Sequence, residues 1–173
     1  MVTTTRERDR ARAEAAASAV TDPELPMLTL ADLGILRGVE IEGDGTVAVW
    51  ITPTYSGCPA LTEMRADVDR AVRAAGFERV EVRTELSPPW TTDWISDEGR
   101  RKLAEHGISP PGSAPPRASG PVPLTLLPTR TVPRCPLCGS ERTEELSRFG
   151  ATSCKSLHRC QSCLEPFEHV KEI

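Results

Sequence analysis

The sequence has few aromatic residues and no long apolar run. Phe, Trp and Tyr together make up 4% of its 173 residues. No stretch approaches the roughly 20 consecutive apolar residues that a membrane-spanning helix needs, and the first ten residues lack the apolar core of a secretory signal peptide. We therefore expect a cytoplasmic protein that does not contact membranes.

Signatures of common enzyme classes are also missing. The sequence contains no glycine-rich phosphate loop, no dinucleotide fingerprint and no nucleophile with a recognisable acid and base. Residues 1–110 carry 13 basic against 19 acidic side chains, which disfavours binding of nucleic acid. We expect no nucleic acid partner and no catalytic activity of the chain's own, and we favour a binding or accessory role.

Proline is abundant, at 16 residues, but it is concentrated in one segment that has neither apolar periodicity nor a charge run. We interpret this segment as a linker between two domains. The predicted order is an N-terminal helix over 1–20, an α+β domain over 21–108, a Pro-rich linker over 109–132 and a zinc ribbon over 133–173.

Apolar periodicity predicts the fold class of the first domain. Two strands, over 35–42 and 46–52, flank the turn residues 43–45, which contain two glycines. A helix with one apolar stripe follows and ends at Gly76, and a third strand covers 77–84. The order predicts a small two-layer α+β domain, with a three-stranded sheet and flanking helices.

Cys58 lies at the junction between the second strand and the helix. Proline at 59 suits the first helical position, which would make Cys58 the N-cap, where unpaired amides and the helix dipole favour a thiolate. A thiolate is both a nucleophile and a soft metal ligand. A small buried residue that fills the helix start is the other interpretation.

Two acidic residues lie in a proline-shaped loop, Asp22-Pro23-Glu24-Leu25-Pro26. The prolines impose an extended or turned backbone. Asp22 and Glu24 are candidates for hard metal ligands or partner contacts, but Asp-Pro is also an ordinary cap-and-turn signal, and the residues by themselves favour the structural role.

Five of the six cysteines lie within the last 39 residues. Cys135 and Cys138 form one Cys-x-x-Cys pair, and Cys160 and Cys163 form a second pair, separated from the first by 21 residues. This spacing predicts two knuckles around one four-coordinate structural ion. We expect zinc, with iron in the same four-sulfur geometry as the alternative, and disulfides are disfavoured in a reducing compartment.

The remaining thiol and the histidines have weaker patterns. Cys154 is a possible additional thiol that would replace a ligand, meet a transferred metal or do neither. No metal-ligand spacing relates the three histidines, His106, His158 and His169, and we predict that all three lie on the surface. At most, His158 would contact one of the metal ligands without binding the metal itself.

Several segments together resemble one known family. They are DPELP at 22–26, DLG at 32–34, TPTYSGCPA at 52–60, WTTDW at 90–94, the double knuckle, and EPF at 165–167. This combination resembles the PaaD family of phenylacetate-degradation proteins. The first domain is similar to iron-sulfur assembly domains of the MIP/SufT type, and the tail resembles a zinc ribbon. The chain departs from the family pattern at Ala151, where serine is expected, at His158, where tyrosine is expected, and at its end, where a cysteine is often found.

The resemblance implies a maturation role for the multicomponent phenylacetyl-CoA epoxidase, which has a di-iron oxygenase and a reductase with flavin and a [2Fe-2S] cluster. It implies that Cys58, with Asp22 and Glu24 in the family loop, contacts iron or a transient iron-sulfur cluster, and that the ribbon holds structural zinc. The implied partners are the other epoxidase subunits or the reductase, and the iron-sulfur assembly machinery. A stoichiometric structural subunit of the oxygenase and a thiol-dependent enzyme using Cys58 are the alternatives.

Overall fold

The computed structural model describes residues 5–114 and 132–173, so most of the predicted linker lies outside the described residues. The chain divides into two compact units, Met1–Gly99 and Arg100–Ile173. None of the helices in the two described ranges has the length and apolarity to cross a bilayer.

The first unit contains a three-stranded sheet. Helix α1 (Thr5–Ser18) comes first, and strands β1 (Leu36–Ile41) and β2 (Val47–Ile51) then pair antiparallel. Helix α2 (Leu61–Ala74) leads to strand β3 (Val80–Thr84), which pairs with β2 in parallel. The strand order is β1-β2-β3, so β2 is central.

The core of this unit forms where β2 packs among its neighbours. Four of the five β2 residues are fully buried, and α2 contributes Met64, Val68 and Val72 from its apolar stripe. Burying each large apolar side chain contributes about 1.5–3 kcal/mol. Gly76 has a φ of 96°, which ends the helix as its position predicts. The predicted two-layer α+β fold is confirmed, with strand limits that differ by one to three residues.

The second unit is built on a four-stranded sheet. Helix α3 (Asp97–Glu105) leads into it, and strand β4 (Ile108–Ser109) pairs in parallel with β7 (Pro166–Val170). Strand β6 (Lys155–Cys160) pairs antiparallel with both β7 and β5 (Thr143–Ser147). The strand order is β4-β7-β6-β5.

The division between the units differs from the predicted domain limits. The predicted first domain ended at 108 and the linker began at 109, but Ile108 and Ser109 form β4 of the second sheet, opposite Glu168 and His169. A strand of two residues shows no periodicity, and the prolines that follow it indicate a loop. The local sequence therefore carries no signal for a pairing with residues 60 positions away.

Candidate metal sites

Four cysteine side chains of the second unit converge on one point. The Sγ atoms of Cys135, Cys138, Cys160 and Cys163 all lie within 4.8 Å of one another. The Cys135–Cys163 pair is 3.7 Å apart and the Cys138–Cys160 pair is 3.6 Å apart. Zinc–sulfur bonds of about 2.3 Å in a tetrahedron require sulfurs about 3.8 Å apart. The set therefore fits one four-coordinate ion of the zinc type, and no other group of three such ligands is this close in residues 5–114 and 132–173.

Left-handed backbone closes both knuckles. Gly139 follows the first pair with a φ of 74°, and its amide donates to the Cys135 carbonyl at 2.9 Å. Leu164 follows the second pair with a φ of 67°, although it is not glycine. A non-glycine residue in this region costs about 1–2 kcal/mol. The second knuckle therefore has the same left-handed turn as the first, but the turn costs energy there because its residue is leucine and not glycine.

The surroundings of the sulfurs give the thiols of Cys160 and Cys163 very different pKa values. The amides of Cys163 and Ser162 point at the buried Cys160 Sγ, at 3.5 and 3.3 Å, and lower the pKa of that thiol to about 6. The Glu165 amide favours the Cys163 thiolate, but burial and the neighbouring thiols outweigh it and raise the pKa of Cys163 to about 12. Four thiolates at these distances repel one another, and a bound divalent cation would remove that repulsion.

The apolar core around the sulfurs is small. In the described part of the chain, Cys135, Cys160 and Phe167 form it, and Cys163 packs against it. With four protein ligands the site leaves no open coordination position, which is typical of structural zinc sites.

Cys58 does not have the position that the sequence predicts. Helix α2 begins at Leu61, and its N-cap is Ala60, which makes no side-chain cap. Cys58 lies in the preceding turn, where its amide donates to the Tyr55 carbonyl and its own carbonyl accepts from the Leu61 amide, both at 3.2 Å. The N-cap prediction was wrong, because proline at 59 is compatible with a turn as well as with a helix start. The Cys58 thiol is half-buried and belongs to the first unit, apart from the four-cysteine set.

The acidic loop has the geometry of a cap and turn. Asp22 Oδ1 accepts the amides of Glu24 at 2.9 Å and Leu25 at 2.8 Å, and Asp22 is 7% exposed. The Glu24 side chain is exposed. The Asp22 carboxylate thus shapes this loop.

The sixth cysteine also lies outside the four-sulfur set. Cys154 is half-buried, and its Sγ is 3.1 Å from the Thr152 hydroxyl. It precedes β6, at the opposite end of that strand from Cys160.

Two histidines are buried, contrary to the surface prediction. His158 and His169 are each 2% exposed, whereas His106 is exposed as predicted. Strand alternation places residues 156, 158 and 160 on one face of β6, so the buried Cys160 was a signal that His158 also faces inward. The prediction failed because it tested only metal-ligand spacing.

Comparison with known proteins matches each unit to a family. Residues 10–83 match the family described as iron-sulfur cluster assembly protein, and residues 119–171 match the PaaD zinc beta ribbon domain. An Escherichia coli K12 protein named as one of the subunits of a 1,2-phenylacetyl-CoA epoxidase is 43% identical over 159 residues, which cover 92% of this chain and 90% of that protein. The chain belongs to the PaaD family.

The first domain of this PaaD family member has relatives of its own. An Fe-S protein maturation auxiliary factor of Porphyromonas gingivalis is 34% identical over 85 residues, 49% of this chain and 80% of that protein. The crystal structure of a DUF59 domain from Bacillus anthracis matches with a TM-score of 0.52 and 25% identity, covering 57% of this chain and 94% of that one. The predicted combination of an iron-sulfur assembly domain with a zinc ribbon is confirmed.

Proposed function

We propose that this PaaD family member is a cytoplasmic accessory protein that helps to mature the metal centres of a phenylacetyl-CoA epoxidase. In this role Cys58 is a transient soft ligand for iron or an iron-sulfur cluster, with Asp22 and Glu24 as the neighbouring contacts of the family loop. Its partners are the epoxidase subunits or their reductase, and the iron-sulfur assembly machinery. The four ribbon cysteines hold structural zinc, and the ribbon serves as a docking module.

The position of Cys58 carries this proposal. Its half-buried thiol lies in the loop that follows β2, and β2 pairs in parallel with β3. Loops at the carboxyl ends of parallel strands are where open α/β sheets bind their ligands. The unit that contains this loop matches the iron-sulfur cluster assembly family.

The test is complementation of cells that make the epoxidase but lack this protein. The wild-type chain, Cys58→Ala and Cys154→Ala are each expressed, and the iron content and turnover of the purified epoxidase are measured. Cys154→Ala is the matched control, because it removes another half-buried thiol outside the four-cysteine set. We expect Cys58→Ala to leave the epoxidase as poorly loaded as in the deletion strain, and Cys154→Ala to load it fully. Fully loaded, active epoxidase from the deletion strain would refute the proposal.

A stoichiometric subunit of the oxygenase is the second candidate, favoured by the name of the Escherichia coli relative. It predicts stable co-purification with the epoxidase and no effect of Cys58→Ala on metal loading. The same strains therefore separate the two functions. A thiol-dependent enzyme would instead lose a turnover of its own in proportion to alkylation of Cys58.

A further inference from the structure

The outer edge of strand β3 is open. It is the last strand in the order β1-β2-β3, and no further strand pairs with it among residues 5–114 and 132–173. A groove of about 680 Å³, lined by α2 and β3, runs beside it. Open edges present amides and carbonyls that can pair with a strand of another chain. We propose that this edge is an interaction surface for β3 of a second copy, which pairs antiparallel around a two-fold axis at Val82.

The hydrogen bonds to β2 show which backbone groups of β3 point outward. The Arg79 carbonyl accepts from the Val47 amide at 2.9 Å. At the other end of the strand, the Glu85 amide donates to the Ile51 carbonyl, also at 2.9 Å. Successive residues of a strand direct their amides and carbonyls to alternate sides. The odd-numbered residues therefore bond to β2, and three residues direct these groups to the open edge: Val80, Val82 and Thr84.

The two edges of the sheet differ in how they are covered. On β1, Arg6 and Arg10 of α1 each donate to a carbonyl of the strand. On β3, Arg65 of α2 donates to the Val82 carbonyl at 2.9 Å. A carbonyl oxygen has two lone pairs, so this contact leaves Val82 able to accept an amide of a second strand. The β3 edge is therefore the better placed of the two for pairing.

The sequence of β3 is complementary to itself in one register. With the axis at Val82, Glu81 of each copy lies opposite Arg83 of the other, and Val80 lies opposite Thr84. Opposite charges directly across an antiparallel pair stabilise it, whereas like charges destabilise it. An axis one residue earlier would place two glutamates opposite each other, and an axis one residue later would place two arginines. The charges therefore select the register that pairs all five residues.

The charged side chains are able to reach across the interface. Within one chain Glu81 and Arg83 lie 2.5 Å apart, and 53% and 34% of their side chains are exposed. Arg83 also lies 2.8 Å from Glu42, but a guanidinium has five N–H groups and can serve several carboxylates. Because Val82 and its copy would exchange backbone hydrogen bonds, the Glu81–Arg83 positions are non-hydrogen-bonded pairs, in which side chains lie closest.

Helix α2 does not oppose this pairing by its charge. The axis is perpendicular to the sheet, so both copies of α2 lie on the same face. Arg70 and Arg73 line the groove, but each has a carboxylate partner, Asp67 and Asp69 respectively, at 2.7 Å. The arginines beside the edge are therefore neutralised within their own chain.

The proposed pairing keeps the two Cys58 thiols apart. Cys58 follows β2, so its loop lies at the carboxyl ends of β2 and β3. Antiparallel pairing turns these ends of the two copies in opposite directions. The Cys58 loops then lie at opposite ends of the joined sheet, and each copy works with its own thiol.

The test measures the mass of the zinc-loaded full chain by sedimentation equilibrium under reducing conditions, from micromolar to millimolar protein. We expect the mass to rise from 18.8 kDa towards twice that value. Glu81→Arg should weaken dimerisation by at least about tenfold, because both cross-chain pairs become like-charge pairs. The double variant Glu81→Arg/Arg83→Glu restores opposite charges and should dimerise more strongly than Glu81→Arg. Glu78→Arg is the matched control, because it makes the same change at an exposed residue outside β3.

Hydrogen exchange locates the interface. The amides of Val80, Val82 and Thr84 should gain protection as the protein concentration rises, whereas those of Glu81 and Arg83 bond to β2 at every concentration. Protected β2 amides show that each variant is folded.

Three results would overturn the proposal. They are a wild-type chain that stays at 18.8 kDa, a folded Glu81→Arg protein that dimerises as well as the wild type or the double variant, and a dimer without added protection of the outward β3 amides. None of these measurements depends on epoxidase maturation, so this inference and the proposed function fail separately.

Discussion

Replacing Cys160 by serine tests whether the four-cysteine set organises the ribbon. Cys160 is fully buried, and it receives two amide contacts that favour its thiolate. Serine supplies a hard hydroxyl in place of a soft thiolate. Loss of a hydrogen bond to a metal ligand typically lowers metal affinity by about 10–100-fold. Because Cys160→Ser removes a ligand itself, we expect a larger fall in zinc affinity.

The expected loss of order follows from the small apolar core. Among the residues that the structure describes, Phe167 is the one large apolar side chain packed with the clustered cysteines, and its burial contributes about 1.5–3 kcal/mol. Binding of structural zinc is worth about 10–16 kcal/mol in comparable peptides. Zinc binding therefore contributes several times more free energy than the burial of Phe167, so we expect the fold of the ribbon to depend on zinc.

Hydrogen exchange and zinc release measure the outcome. In Cys160→Ser the amides of β6 and β7 should lose protection, while those of β2 stay protected, because the sulfurs belong to the second unit. Cys154→Ser is the control, since Cys154 lies outside the four-sulfur set. The reasoning is refuted if Cys160→Ser keeps full zinc and protected β6 amides, or if Cys154→Ser loses its zinc.

Three further substitutions test the first unit by urea denaturation. Met64→Ala should lower the free energy of unfolding by about 2–5 kcal/mol, because Met64 is 1% exposed and alanine leaves a cavity. Gly34→Ala should cost at least about 1–2 kcal/mol, because Gly34 has a φ of 66° and a Cβ there would lie 2.5 Å from the Trp94 carbonyl oxygen. Trp90→Phe should cost about 1–3 kcal/mol, because the buried indole Nε1 donates to the Leu33 carbonyl at 2.9 Å and phenylalanine cannot.

Each of these changes has a matched control in the same unit. Leu86→Ala removes an apolar side chain that is 55% exposed, Gly43→Ala adds a Cβ with no atom within 4 Å, and Trp50→Phe changes a half-buried indole. We expect each control to change the free energy of unfolding by less than about 0.5 kcal/mol. A control as damaging as its test substitution would contradict the cause assigned to that position.

Short-range patterns were predictable and long-range partners were not. The Cys-x-x-Cys spacing confines each thiol pair to one turn, and the apolar period of α2 selects the face that carries Met64. Strand β4 forms only by pairing with a strand about 60 residues away. A strand of two residues is too short for its local sequence to predict that partner. Cys58 illustrates a third limit, because one proline satisfies both a helix start and a turn, and only tertiary packing decides between them.

The two kinds of thiol site suit different parts of the proposed role. A closed tetrahedron of four thiolates retains its ion, and an ion that the ribbon needs for its fold cannot leave without unfolding the ribbon. A donor must instead bind weakly enough to release its cargo. Cys58 is a single half-buried thiol outside that cluster, so in the proposed role it would contribute one bond and leave the other coordination positions of an iron centre open. An incoming client could then replace that bond one ligand at a time, which is why the proposed function gives transfer to Cys58 and structure to the ribbon.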